Sequence, residues 1–188
     1  LRYLGRYLQG TKDKGIYLDP KGDKSFECWV DADLLGQYVK GAPDMALDKM
    51  TAKSQTGFII TYAGCPIIWG SKLQRESALS TTEAEYMAIS EAFRSLLPMM
   101  DMLEEAREKG VPIQSGPPVV HCKAFEDNSG ALELARLPKM RPRTKHINVK
   151  YHHFREAVAL GRVTILHVPT DAQVGGVSIT HLARPPHS

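Results

Sequence analysis

One long helical pattern runs from Ser80 to Gly110, and an acid stands at the centre of its apolar stripe. Ser80 followed by Glu83 forms a capping box, which sets the start. Gly110 ahead of Pro112 sets the stop, so the spacing predicts a helix from about Ser80 to Lys109. Pro98 lies inside it and is expected to kink it. At 100° per residue, Ile89, Ala92, Leu96, Met99 and Leu103 fall within about 40° of Glu85. A carboxylate on that line is costly to bury unpaired. Two readings stay open from this geometry. Glu85 is either an anion favoured by the helix dipole near the N-terminus, or a catalytic or metal-binding group.

Such a stripe must be covered by another layer, and the flanking sequence supplies strands. Phe26–Asp33 alternates as a strand that ends in acids. Thr56–Tyr62 and Pro66–Ser71 read as two strands, joined through Ala63, Gly64 and Cys65 as a hairpin. Val119–Phe125 is a further strand, and Asp127-Asn128 caps a helix over 129–137. A helix over 145–160 ends at Gly161, and Arg162–Val168 is the last strand. Near the start, Leu1, Leu4 and Leu8 share a helix face, and Ile16-Tyr17-Leu18 follows as a short strand. The order predicts an α/β domain with a mixed central sheet of about five strands and helices on both faces. Residues 34 to 54 carry Gly36, Gly41 and Pro43 without a clear period and read as a long functional or mobile excursion. The expected division is a connecting segment over 1–22, the domain over 23–176 and an irregular tail over 177–188. The uncapped opening helix and the missing initial Met point to a piece of a longer polypeptide.

The chain has 188 residues, 43% of them hydrophobic and 24% charged, which suits one globular domain and excludes a disordered tail, a collagen or a coiled coil. Apolar runs such as Pro66–Trp69 are far too short to cross a bilayer, and no charged-then-apolar leader opens the sequence. Cys28, Cys65 and Cys122 are odd in number and widely spaced, so the expectation is an intracellular, reducing compartment rather than a disulfide framework or a zinc site. The net charge of +3 permits a nucleic-acid partner without requiring one.

Asp31 and Asp33 close an otherwise apolar strand, and being two apart they share a face. Asp127 follows another apolar strand. Taken singly, these acids read as a strand-ending turn and a helix cap. Taken with Glu85, they are able to converge over one edge of a sheet. Hard carboxylate oxygens gathered there suit Mg²⁺ or Mn²⁺, and two such ions about 4 Å apart clamp a scissile phosphate. No glycine-rich phosphate loop, G-x-S-x-G elbow or H-E-x-x-H motif competes with that chemistry. His152 and His153 are adjacent, diverge if the segment is helical, and read as surface or core histidines rather than a metal pair.

Several longer segments occur in a fixed order. They are Val30-Asp31-Ala32-Asp33, Ser54-Gln55-Thr56-Gly57-Phe58, the run from Ala78 to Ala88 containing Ser80-Thr81-Thr82-Glu83-Ala84-Glu85, Glu126-Asp127-Asn128-Ser129-Gly130-Ala131 and Arg143-Thr144-Lys145-His146-Ile147. Together they resemble the ribonuclease H domain at the C-terminal end of a copia-type retrotransposon polyprotein. Leu1–Leu4 and Gly10–Asp13 resemble the stretch that joins that domain to the reverse transcriptase. The resemblance implies an RNase H-like fold. It also implies hydrolysis of the RNA strand of an RNA–DNA hybrid at a site of two Mg²⁺ or Mn²⁺ ions, leaving a 3′-hydroxyl and a 5′-phosphate. Carried over residue by residue, the catalytic and metal-binding acids are Asp31, Glu85 and Asp127, with Asp33 as a further candidate ligand.

The sequence departs from that family pattern in two places. Where a segment like Gln-Leu-Ala-Asp is expected after Val168-Pro169-Thr170, Gly176 stands at the position of a fourth acid, and Asp171 is five residues away. The 34–53 segment is also longer than usual and lacks a Trp-Ala-Gly start. Two functions are therefore carried forward. One is a divalent-metal ribonuclease H, impaired by the missing acid. The other is an inactive, exapted RNase H-like module that binds nucleic acid or serves as a structural subunit of a larger assembly. The expected partners are an RNA–DNA hybrid and the remaining reverse transcriptase polyprotein or a larger assembly. Lys139, Arg141, Arg143, Lys145 and His146 precede a predicted helix and are the candidate contacts to hybrid phosphates.

Overall fold

The computed structural model describes residues 2–15, 18–20, 24–34, 53–113, 120–136 and 151–173. Helix α1 (Arg2–Thr11) leads to strand β1 (Phe26–Asp33), and the β2 (Gln55–Tyr62) and β3 (Cys65–Leu73) strands follow. Helix α2 (Thr81–Glu108) precedes β4 (Cys122–Glu126), α3 (Ser129–Arg136), α4 (Arg155–Ala159) and β5 (Val163–His167). A 3₁₀ turn, Thr170–Ala172, closes the described chain.

The strands hydrogen-bond in the order β3-β2-β1-β4-β5. The first three pair antiparallel, whereas β4 is parallel to both β1 and β5. Local sequence explains this split. Ala63 (φ 50°) and Gly64 (φ 76°) both take positive φ, as a two-residue hairpin turn between β2 and β3 requires. A parallel partner cannot be reached by so short a link, so α2 carries the chain from β3 to β4, and α3 and α4 carry it from β4 to β5. This is the five-stranded mixed sheet expected of an RNase H-like domain.

Register fixes which residues meet. Cys28 sits beside Ile60 and Ala124, and Ala124 beside Ile165. All four are buried with Ala84, Ile89 and Leu96 of α2, Ala131 of α3 and Ala157 of α4. The helices from α2 to α4 thus pack on one face of the sheet, whereas helices were expected on both; among the described residues no helix adds to the core from the other face. On the other face the intervening row runs Trp69, Ile59, Trp29, Phe125, Leu166 across the strands. Trp29 stacks on Phe125 there, with ring centroids 4.0 Å apart. The described residues of α1 take no part in the core, and Tyr3, Leu4, Tyr7 and Leu8 are exposed. No described helix is long and apolar enough to cross a membrane.

The long helix starts where its cap predicts. The Glu83 backbone N–H donates to Ser80 Oγ at 3.1 Å, while the Glu83 carboxylate accepts from the Leu79 N–H at 2.8 Å, one residue before the cap. The helix continues as one element through Pro98. Its burial is broader than a single stripe: every residue from Glu83 to Ser90 is buried, so the first turns are enclosed on all sides. Of the helix expected over 145–160, residues 145–150 lie outside the described residues, and the described α-helical part is Arg155–Ala159. Side-chain contacts tie the residues ahead of α4 to distant parts of the chain. Tyr151 Oη donates to Glu76 Oε2 at 3.1 Å, and His152 Nδ1 lies 2.6 Å from Tyr86 Oη. Phe154 is fully buried against Tyr86 and Phe93. His152 and His153 both reach α2, His153 meeting Ser90 Oγ at 3.4 Å. The expected strand at Ile16-Tyr17, nearly all of the 34–54 excursion and the 177–188 tail lie outside the described residues.

Gly70 on β3 faces Phe58 on β2, and a Cβ there would stand 2.9 Å from the buried Phe58 ring. Gly70→Ala is expected to destabilise the domain by about 1–3 kcal/mol in urea unfolding, the usual cost of overpacking. Adding Phe58→Leu should recover part of that loss. Strict additivity of the two changes would show that the contact does not limit stability.

Candidate metal centre

Three elements meet beyond the ends of β1 and β4. The first is the start of α2, which Gln74 ties to the sheet: its buried side-chain Nε2 donates to Thr56 Oγ1 at 3.0 Å and to the Ala84 carbonyl at 2.8 Å. The second is the start of α3, which packs closely on α2. A Cβ on Gly130 would lie 2.8 Å from Thr82 Oγ1, and Thr82 Oγ1 is 3.3 Å from Asn128 Oδ1. The third is the end of β1, where Gln173 Nε2 donates to the Val30 carbonyl at 2.7 Å. Each tie lies within two residues of an acid raised from the sequence or, at Thr82, within one helical turn.

Asn128, rather than Asp127, caps α3: the Ala131 N–H donates to Asn128 Oδ1 at 3.0 Å. The cap expected of the Asp127-Asn128 pair thus falls on one member, which leaves the Asp127 carboxylate for other work. Carboxylate oxygens of Asp31, Glu85 and Asp127 all lie within 4.8 Å of one another. Glu85 is buried and Asp31 and Asp127 are half-buried. Asp33, one strand repeat beyond Asp31, lies outside this group because the pleat carries it further along the strand. Asp171 in the closing turn is exposed and also lies outside it. Lys139, Arg141, Arg143, Lys145, His146 and Gly176 fall outside the described residues.

The cluster is electrostatically expensive. Burial, then the charge of Asp127, raises the Asp31 pKa to about 6, against an opposing hydrogen bond from the Ala32 amide. Burial raises Glu85 far above the usual carboxylate range, with Glu126, Asp31 and Asp127 adding to the rise in that order. The same Ala32 amide works against it. Burial also raises Glu126, and the charges of Asp127 and Asp31 add to it. Glu85 Oε2 is buried without a hydrogen-bond partner. Hard anionic oxygens converging at one point, one of them buried and unpartnered, are a donor set that fits Mg²⁺ or Mn²⁺. The described ion pairs of Lys72, Arg94, Lys109 and Arg162 go to other acids.

Two residues of this region were not raised from the sequence as site residues. Gln173 carries no signal beyond its position after the last strand. Glu126 does carry one: it continues the inward phase of Cys122 and Ala124, and β4 reaches one residue further than its expected end to include it.

No protein-family profile matches the chain. It is 33% identical over 184 residues, 98% of its length, to a retrovirus-related Pol polyprotein from transposon RE2 of Arabidopsis thaliana. It is 32% identical over 171 residues, 91% of its length, to the corresponding polyprotein from transposon TNT 1-94 of Nicotiana tabacum. The chain spans 11% of the length of each. Among solved structures, LC11-RNase H1 isolated from compost aligns with 85% of this chain and 95% of its own, at 13% identity and a TM-score of 0.48. A likeness that distant adds nothing to the fold described above.

The raised acids set the pH dependence. Asp31, Glu85 and Glu126 hold protons more tightly folded than unfolded, so the folded state binds more protons above the ordinary carboxylate range. Their contribution to stability is present below that range and is lost as pH rises, with the Asp31 part going by about pH 6 and the rest above it. In chelator, the Tm is expected to fall as the pH is raised from 5 to 8.5. Glu85→Gln should flatten that slope, and Mn²⁺ should raise the Tm more at pH 8 than at pH 5, because metal and protons compete for the same oxygens. A Tm that is flat or rising in chelator, with no difference in Glu85→Gln, would contradict this electrostatic picture.

Proposed function

We propose that this chain, which belongs with the copia-type retrotransposon Pol polyproteins over nearly all its length, is a ribonuclease H domain that hydrolyses the RNA strand of RNA–DNA hybrids by two-metal catalysis. The observation that carries the proposal is the convergence of Asp31, Glu85 and Asp127, delivered from one strand end, one helix start and one strand-to-helix turn. Asp31, Glu85 and Asp127 would hold the ions as anionic oxygen ligands. Two divalent ions bound there would supply an activated water and neutralise charge on the leaving oxygen.

The chain's own residues prepare that arrangement. Burial of Glu85 in the enclosed first turns of α2 keeps its carboxylate dry, where it binds a cation more strongly than in water. The cap formed by Asn128 aligns the start of α3 and frees Asp127. The Ala32 amide, shared by Asp31 and Glu85, favours the ionised form of both. Lys139, Arg141, Arg143, Lys145 and His146 are proposed to hold the hybrid through its phosphates.

One observation favours a second reading. Gly176 stands where the family pattern has a fourth acid, so the chain also suits an inactive module kept for nucleic-acid binding or as a structural part of a larger assembly. Cleavage of a labelled RNA–DNA hybrid in Mg²⁺ or Mn²⁺ separates the two. The ribonuclease reading expects metal-dependent cleavage that Asp31→Asn lowers about 100-fold or more, at or beyond what outer-shell changes cost a metal site. No cleavage by the wild type, with hybrid binding intact, would leave the second reading standing.

Hybrid binding has its own test. Replacing Arg141, Arg143 and Lys145 together with Ala should weaken binding without regard to sequence. It should also lower the slope of log affinity against log salt by roughly 0.7–0.9 per lost phosphate contact. An unchanged affinity and slope would make the stretch ordinary surface.

A further inference from the structure

Glu126 is the most deeply buried acid among the described residues, at 1% exposure. It is the last residue of β4 and points inward with Cys122 and Ala124. One of its oxygens, Oε1, has a structural role, accepting from the Asn128 N–H at 3.0 Å at the turn into α3. The other, Oε2, is buried with no hydrogen-bond partner, as is Oε2 of Glu85. Anchoring Asn128 needs only a neutral acceptor, and a glutamine would serve. A full negative charge in that position is costly, so the carboxyl keeps its proton unless a cation displaces it.

The surroundings show where such a cation would be. Parallel pairing sets Phe125 beside Trp29, so Glu126 follows next to Val30 and directly precedes Asp127, one of the converging acids. It faces the side of the sheet on which α2 packs, although it stands outside the group whose oxygens come within 4.8 Å of one another. We propose that Glu126 supplies the fourth negative charge that holds the divalent ions, from the buried side of the centre, in a chain whose C-terminal segment has Gly176 in place of a fourth acid. This rests on the metal-dependent reading given above. It assigns Glu126 a role in ion affinity, and leaves Asp31, Glu85 and Asp127 as the converging ligands.

Mn²⁺ titration of the purified chain, read by the loss of the free-ion EPR signal, tests the proposal without recourse to cleavage. Wild type, Asp31→Asn and Glu126→Gln are compared at one pH, with far-UV CD to confirm folding. The expected result is Mn²⁺ binding by the wild type, its loss in Asp31→Asn, and an affinity 10- to 100-fold weaker in Glu126→Gln, the range seen when groups behind a metal site are changed. Glutamine keeps an acceptor for Asn128, so a purely structural Glu126 predicts unchanged affinity. Wild-type affinity in Glu126→Gln beside a dead Asp31→Asn overturns this inference and leaves the metal site standing. A wild type that binds no Mn²⁺ overturns the metal-dependent reading, and this inference with it. Should Glu126→Gln fail to fold, Glu126→Thr removes the charge with a smaller neutral side chain. It is expected to bind Mn²⁺ at least about tenfold more weakly, and equality with the wild type overturns the proposal.

Discussion

The structure turns on a carboxylate held where the hydrophobic core would otherwise continue. Glu85 occupies the centre of a helical face whose other members are Ala92, Leu96 and their neighbours, all packed on the sheet. Removing an ionised carboxylate from water without a partner costs roughly several kcal/mol even after the protein relaxes. Much of the nearby architecture surrounds this one strained group. The Ala32 amide, the close contact of α2 with α3 at Gly130, and the freeing of Asp127 by Asn128 all act within a turn or two of it. The stability of the fold and the convergence of these acids are therefore in tension, and under the metal-dependent reading a divalent cation would relieve that tension.

The sheet explains how separate parts of the chain reach this point. Parallel pairing of β1 with β4 places their C-terminal ends side by side, so Asp31 and Asp127 arrive together. The crossover helix between β3 and β4 then has its start, and Glu85 with it, over the same edge. Neither acid pair requires an unusual backbone. Ordinary crossover geometry and one cap are sufficient.

Much of this was legible in the sequence, for identifiable reasons. The capping box at Ser80 and the stripe of α2 are local signals, and both the helix and the anomaly of Glu85 follow from them. The alternation of Phe26–Asp33 and the Ala63-Gly64 turn likewise encode their elements in a few residues. What could not be read depends on contacts between distant segments. Tyr151 and His152 are tied to Glu76 and Tyr86, more than 60 residues away, and no local period records that. Glu126 is an intermediate case. Its phase with Cys122 and Ala124 predicts an inward side chain, but a strand end beside two polar residues reads as a turn until the β4–β5 pairing shows that it continues.

Paramagnetic broadening by Mn²⁺ in amide NMR spectra locates a bound ion without assuming any activity. If divalent ions are held by Asp31, Glu85 and Asp127, substoichiometric Mn²⁺ should selectively broaden the amides of Asp31 to Asp33, Ala84 to Tyr86 and Glu126 to Asn128, and EDTA should restore them. Uniform weak broadening, or broadening centred on other acids such as Glu104 and Glu105, would contradict the proposed centre.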